Sequence, residues 1–181
     1  MNFDDATCLK LIAKGDEGAF ADFYRAFEAR LHRFITSKLN DPFEANDILN
    51  EVFLEVWRKA ETFEGRSKVS TWIFGIAYYK TMDRLRKKKP LLMDDGNLQE
   101  IADDRPDAVT CLINAEKGDH VRYCMDKLKE IHRAVIHLAF FEDMSYGEIA
   151  TIVDCPENTV KTRMFHAKQE MKHCLSKMLG G

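Results

Sequence analysis

The chain has 181 residues, 45% hydrophobic and 31% charged, so it can bury a real core and lacks the composition of a disordered segment. Only four prolines and nine glycines occur, and β-branched alternation is almost absent, which excludes a strand-built domain; no apolar run approaches the length that crosses a bilayer. The formal net charge of −3 argues against indiscriminate nucleic-acid binding, but the charge is segregated, and local patches carry more information than the total.

The opening "MNFDDATCLK" is acidic and polar, unlike a secretory signal, so a cytoplasmic protein is expected. From Asp16 to Lys89 the chain reads as helices. In "AFADFYRAFEARLHRFITSKL" the residues Phe20, Phe23, Tyr24, Phe27, Leu31, Phe34, Ile35 and Leu39 trace one apolar face. "NDPFEANDIL" carries a helix start, with Asp41 as N-cap, Pro42 at the first helical position and Glu44 three residues after the cap. The helix that follows should bury Ala45, Ile48, Leu49, Val52, Phe53, Val56, Trp57 and Ala60. Its other face carries Asp47, Asn50, Glu51, Leu54 and Glu55. A further helix begins near "STW" and runs to the basic stretch "KTMDRLRKKK", where Pro90 stops it.

"DDGNLQEIADDRPD" holds six acids against the single Arg105 and shows little periodicity. Residues 91–113 are therefore expected to form a flexible acidic linker between a first helical domain at 1–90 and a second at 114–181. In the second domain, Leu128, Ile131, Val135 and Leu138 mark one helix. Ser145 and Glu148 then form a capping box ahead of Ile149, Ala150 and Val153, and Asp154-Cys155-Pro156 ends that short helix. In the last helix Val160, Met164, Ala167, Met171, Leu175 and Met178 recur at steps of three and four and draw an inward seam. Positions 162, 165, 166, 169 and 173 fall on the far side, flanked by Lys161 and Lys172. A short capped helix, a tight turn and a second helix with a basic outer face make a helix-turn-helix. Its second helix would enter a major groove, with Lys161 and Lys172 near phosphates. Thr162, Phe165, His166 and Gln169 would face base edges, the Phe165 ring against a thymine methyl group.

The five cysteines (Cys8, Cys111, Cys124, Cys155, Cys174) are odd in number and lack paired C-x-x-C spacing, so they read as small buried hydrophobes rather than disulfides or ligands. His120 with Cys124 and His173 with Cys174 would supply four ligands, but the spacing is looser than structural zinc sites use. No metal and no cofactor is expected.

These residues resemble a known family. "SYGEIATIVDCPENTVKTRMFHAKQEM" is similar to region 4 of bacterial extracytoplasmic-function sigma factors, which belong to the sigma-70 family. "AFADFYRAFEARLHRFI", "ANDILNEVFLEVWRKAETFEG" and "STWIFGIAYYKTMDRLRKKK" resemble, in order, the opening helix, the polymerase-binding helix and the −10 element segment of region 2. The resemblance implies an all-α protein of two small helical domains that binds core RNA polymerase and directs it to promoter DNA. It further implies control by an anti-sigma factor; from the residues themselves, no membrane insertion and no catalysis are expected. Carried over by residue, it assigns Asp47, Asn50, Glu51 and Leu54 to the polymerase. Tyr78, Tyr79, Lys80, Arg84, Arg86, Lys87 and Lys88 fall to the melted −10 strand, and Thr159, Lys161, Thr162, Phe165, His166 and Lys168 to the −35 duplex.

The chain departs from the family at two places. Tyr79 stands where an asparagine is frequent and offers stacking in place of amide hydrogen bonds. His166 stands where an arginine is frequent and cannot make the bidentate guanine contact. Trp72 is expected in the core, while Tyr78 and Tyr79 stay open between core and base stacking. Three rival readings fit less well. An enzyme would need a Ser/His/Asp or Cys/His set or a phosphate loop, a decoy for an anti-sigma factor would have lost its basic segments, and a dimeric repressor would not need the acidic helix face.

Overall fold

A computed structural model describes residues 4–39, 41–88 and 118–179. These form two compact units of helices, with no strand among the described residues.

In the first unit, α1 (Asp5–Ile12) and α2 (Glu17–Thr36) start on aspartate caps. The Asp16 carboxylate accepts from the Ala19 amide at 2.9 Å, and Gly15, at φ +83°, makes the left-handed turn between the two helices. In α3 (Pro42–Lys59) the Asp41 side chain accepts from the amides of Phe43 and Glu44. After a short 3-10 turn at Ala60–Thr62 comes α4 (Val69–Lys88). The predicted apolar face of α2 is the centre of the unit. Phe23, Phe27, Leu31, Phe34 and Ile35 are fully buried against α1, α3 and α4, and the Phe34 ring meets Phe74 edge-on at 5.3 Å.

Three expectations are corrected here. Trp57 is 36% exposed, because it lies on the flank of the apolar stripe, its ring edge-on to Phe20 at 5.2 Å. Trp72 is half-buried rather than core, tilted against Phe63 at the start of α4. Glu44 sits at the capping-box position, but its carboxylate turns to Arg84 and Lys88 of α4, since two cations outcompete one amide.

In the second unit, α5 (Gly118–Lys127) is followed by α6 (Glu130–Phe140), which is the helix marked by Ile131, Val135 and Leu138; Leu128, expected in it, falls in the break before it. The break at Leu128 and Lys129 is closed from behind by Arg133, whose guanidinium donates to the carbonyls of Asp126 at 2.7 Å and Leu128 at 2.9 Å. α7 (Tyr146–Val153) carries the predicted capping box. The Ser145 hydroxyl accepts from the Glu148 amide at 3.3 Å, and the Glu148 carboxylate accepts from the Ser145 amide at 2.9 Å. Asp154, at φ 50° and ψ 57°, ends α7 in the left-handed region, and α8 (Glu157–Leu179) follows. Along α8 the seam Val160, Met164, Ala167, Met171 and Leu175 is buried against α5, α6 and α7, but Met178, near the end of the helix, is 36% exposed, its sulfur 4.0 Å from that of Cys124. Lys89, the Pro90 helix stop, the linker at 91–113, the start of the second domain at 114 and Cys111 lie outside the described residues.

Candidate nucleic-acid interface

Helix α3 presents three faces, and only the inward one is apolar throughout. Asp47, Asn50, Glu51 and Leu54 are all exposed, Leu54 to 48%. Phe43, 83% exposed at the first turn, and the edge of Trp57 join the same outer stripe as Asn50 and Leu54. Both aromatics were missed as surface residues. Phe43 lies opposite the apolar seam on a helical projection, so its exposure was legible; that of Trp57, on the flank, was not.

The third face of α3 turns to α4. Glu44, Glu51 and Glu55 follow one another at steps of seven and four, and they meet Lys80, Arg84 and Lys88 at steps of four. Arg84 donates to Glu51 at 2.9 Å and to Glu44 at 3.4 Å, and Lys88 reaches Glu44 at 2.5 Å. Lys80 stands 3.8 Å from both Glu51 and Glu55. A hydrogen bond from Lys59, with Lys80 adding to it, holds the Glu55 carboxyl below the usual range. Glu51, assigned to the polymerase face, is thus shared with the cations assigned to DNA. Of the remaining −10 residues, Tyr79 is 67% exposed and Tyr78 half-buried. Arg86 and Lys87 are exposed, and Lys87 pairs with Asp83 one turn back at 2.9 Å.

In the second unit the Pro156 carbonyl accepts from the amides of Thr159 and Val160 and starts the second helix of the helix-turn-helix. Lys161 is exposed beside Glu157 at 3.3 Å, Thr159 is half-buried, and His166, Gln169, Lys172 and His173 are exposed. Thr162, expected at base edges, is buried to 8% exposure; its hydroxyl donates to the Asn158 carbonyl at 3.0 Å, which satisfies it within its own helix. Phe165 is half-buried rather than projecting, its ring edge-on to His166 at 5.6 Å. His166 in turn stacks on His132 of α6 at 6.2 Å. A carboxylate only accepts, so the 2.7 Å contact between His132 Nδ1 and Glu170 places a proton on Nδ1. Burial outweighs the pull of Glu170 and lowers the His132 pKa, which leaves the imidazole neutral. Lys168 is half-buried, its ammonium 5.8 Å from the centre of the Phe140 ring. Asn158, exposed in the first turn of α8, went unnoticed in the sequence although that turn leads into the groove in such motifs.

The Sigma-70 region 2 model matches residues 23–90, and the Sigma-70, region 4 model matches residues 119–171. The chain belongs to the sigma-70 family. It is 29% identical to the ECF RNA polymerase sigma factor SigW of Bacillus subtilis over 91% of this chain and 92% of that one. It is 28% identical to the ECF RNA polymerase sigma factor SigK of Mycolicibacterium vanbaalenii over 92% of this chain and 87% of that one. It is therefore a sigma factor of the extracytoplasmic-function group. In fold it is similar to CnrH in complex with the cytosolic domain of CnrY, with a TM-score of 0.70, 20% identity and coverage of 96% and 97% of the two chains. It also resembles the sigma factor RpoE in complex with the anti-sigma factor NepR from Bartonella quintana, with a TM-score of 0.63, 23% identity and coverage of 86% and 97%.

The region 4 unit of this sigma factor holds one feature that the sequence reading did not expect. Cys124 of α5 and Cys174 of α8 form a disulfide that spans 50 positions, whereas Cys8, a buried thiol, and Cys155, a half-buried one, are not disulfide-bonded. The expectation of five unpaired small hydrophobes fails because helix packing, invisible in the spacing, brings the two Cα atoms to 5.8 Å. A cavity of about 400 Å³ opens beside the bridge, lined by Tyr123, Leu128, His173 and Met178 among others. Among the described residues no three His, Cys, Asp or Glu side chains are placed to hold a metal ion. Nor is any helix among them long and apolar enough to cross a membrane.

Proposed function

We propose a division of labour for this alternative sigma factor, which directs RNA polymerase to promoters. The outer stripe of α3, with Asp47, Asn50 and Leu54 joined by Phe43 and Trp57, docks on the polymerase. Mixed carboxylate and large apolar groups suit a protein partner better than DNA, which would repel the acids. The exposed end of α4 takes the melted −10 strand. Arg86 and Lys87 track phosphates and Tyr79 offers a stacking surface for an unpaired base. The helix-turn-helix reads the −35 duplex. Lys161 and Lys172 lie near phosphates, and Asn158, Phe165, His166 and Gln169 reach toward base edges, with Thr159 and Lys168 at the margin. Such a factor works in the cytoplasm and catalyses nothing itself. By analogy with the RpoE–NepR complex, its activity is held in check by an anti-sigma protein.

The observation that carries this reading is the separation of an acidic-apolar stripe on α3 from the aromatic and basic end of α4 within one unit. Asp47→Lys tests it without disturbing the core, since Asp47 is exposed and away from the seam. The variant should compete poorly for core polymerase while its thermal melting stays unchanged. Normal competition would refute the assignment of the face. Glu51→Lys is a poorer probe, because it would also release Arg84.

A further inference from the structure

The pairing of α3 with α4 puts three carboxylates against three of the cations that the sequence assigns to DNA. These contacts are not needed to hold the helices together. Ile48 and Val52 of α3 and Ile73, Phe74 and Ala77 of α4 are fully buried and hold the interface, while Glu51, Arg84 and Lys88 lie at its partly solvated edge, where ion pairs add little; only the Glu44 carboxylate is buried. Their main effect is on charge. Arg84 already spends its guanidinium on Glu44 and Glu51, Lys88 on Glu44, and Lys80 stands between Glu51 and Glu55. A DNA phosphate must displace a carboxylate to reach any of them. Tyr79, Arg86 and Lys87 carry no such restraint from α3, so the restraint divides the −10 set in two along the helix.

We propose that Glu44, Glu51 and Glu55 act as an internal substitute for DNA phosphates. They hold Lys80, Arg84 and Lys88 neutralised in the free protein and so weaken its binding to single-stranded DNA. Glu51 is the point of release. It borders the outer stripe of α3, and its side chain is 47% exposed while that of Glu44 is only 10% exposed. A polymerase group that drew the Glu51 carboxylate outward would free one side of Arg84 and of Lys80 together. Polymerase binding and strand binding would then favour each other, and by linkage the coupling runs equally in both directions. The inference rests on the assignment of α3 to polymerase and α4 to DNA, and it adds the device that connects them.

The test uses the full-length protein and a fluorescent single-stranded oligonucleotide, titrated across a range of salt without polymerase. Glu51→Gln and the double variant Glu44→Gln/Glu51→Gln keep side-chain shape and remove only charge. The double variant should bind on the order of tenfold more tightly at 0.1 M salt, and its log K against log salt should steepen by about 0.7 for each cation released. Glu61→Gln removes the same charge outside the network and should leave the slope as it is. Circular dichroism checks folding, and the exposed Glu51 position alone keeps the test valid should the double variant melt. In holoenzyme, where Glu51 is already drawn away, the gain from Glu51→Gln should vanish. Unchanged affinity and slope in both glutamate variants would overturn the proposal, and so would an equal gain from Glu61→Gln. A gain that persists in full in holoenzyme would overturn the release at Glu51. Arg86→Ala/Lys87→Ala is the control on the underlying assignment. If it fails to weaken oligonucleotide binding, the DNA face is misplaced and the proposal falls with it. If it does weaken binding while the glutamate variants change nothing, only the internal substitute is wrong.

Discussion

The two units reach a packed core by different means. The first buries four phenylalanines completely, Phe23, Phe27, Phe34 and Phe74, and no disulfide occurs among its described residues. The second buries no phenylalanine, tyrosine or tryptophan ring among its described residues; its core is aliphatic and methionine-rich, and Cys124–Cys174 ties α5 to α8. Large rings supply more buried area per residue than valine or methionine. A small unit without them gains from a cross-link that restricts its unfolded chain. The contrast teaches where each half of this sigma factor is vulnerable: the first to loss of a ring, the second to loss of a bond.

Both tryptophans, Trp57 and Trp72, lie in the first unit, so their fluorescence follows that unit alone while circular dichroism follows both. The largest effect should come from Phe34→Ala, which removes a fully buried ring that packs on Phe74; a loss of about 3–5 kcal/mol is expected. The fluorescence transition in denaturant should move to a much lower midpoint while the part of the dichroism signal from the second unit stays in place. A shift of both together would show that the units do not unfold separately.

Cleavage of the bridge should come next in size. Reduction, or Cys124→Ser with Cys174→Ser, should cost the second unit roughly 2–4 kcal/mol for a loop of this length and leave the fluorescence midpoint alone. If the dithiol form melts with the same midpoint as the bridged one, the cross-link is not what compensates for the missing rings. Transcription assayed with and without a thiol reductant would further decide whether the bridge matters to activity or only to stability.

The smallest effect expected is that of pH on the second unit. His132 has a lowered pKa in the folded state, chiefly through burial, so the unfolded chain takes up its proton first as pH falls. Its contribution to stability is complete above the ordinary histidine value near 6.5 and is lost as pH drops from there toward the folded value. Midpoints in urea should therefore fall between pH 7.5 and 5.5 for the second unit. His132→Gln, which retains a donor for Glu170, should reduce that fall. An equal fall in the variant would assign the pH response to other groups.

Much of this was legible in the chain itself. The buried stripes of α2 and α8, the Asp41 cap, the Ser145–Glu148 box and the turn before Pro156 are all local, since a 3.6-residue period and a side chain two or three positions from an amide need no tertiary information. The outward placement of Asp47, Asn50 and Leu54 follows from the same period. Where the reading failed, the cause lies outside the local segment. Trp57 lies on the flank of its stripe and Met178 near the end of its own, where the period alone does not tell how far packing covers a side chain. Leu128, expected in the same helix as Ile131, Val135 and Leu138, falls in the break before it, where Arg133 caps the carbonyls of Asp126 and Leu128. Thr162 projects on the outer face of an ideal helix yet bonds back to Asn158 and stays covered.

The sequence by itself determined which segments are helical, which stripe of each is apolar and where the charge is concentrated, because periodicity and capping act over one or two turns. Only the tertiary structure decided that Glu44 and Glu51 answer Arg84 and Lys88 across about 40 positions, and that Cys124 meets Cys174 across 50. Those pairings depend on the register and crossing of two helices, which is set by how their side chains interlock and leaves no mark in the spacing of either one.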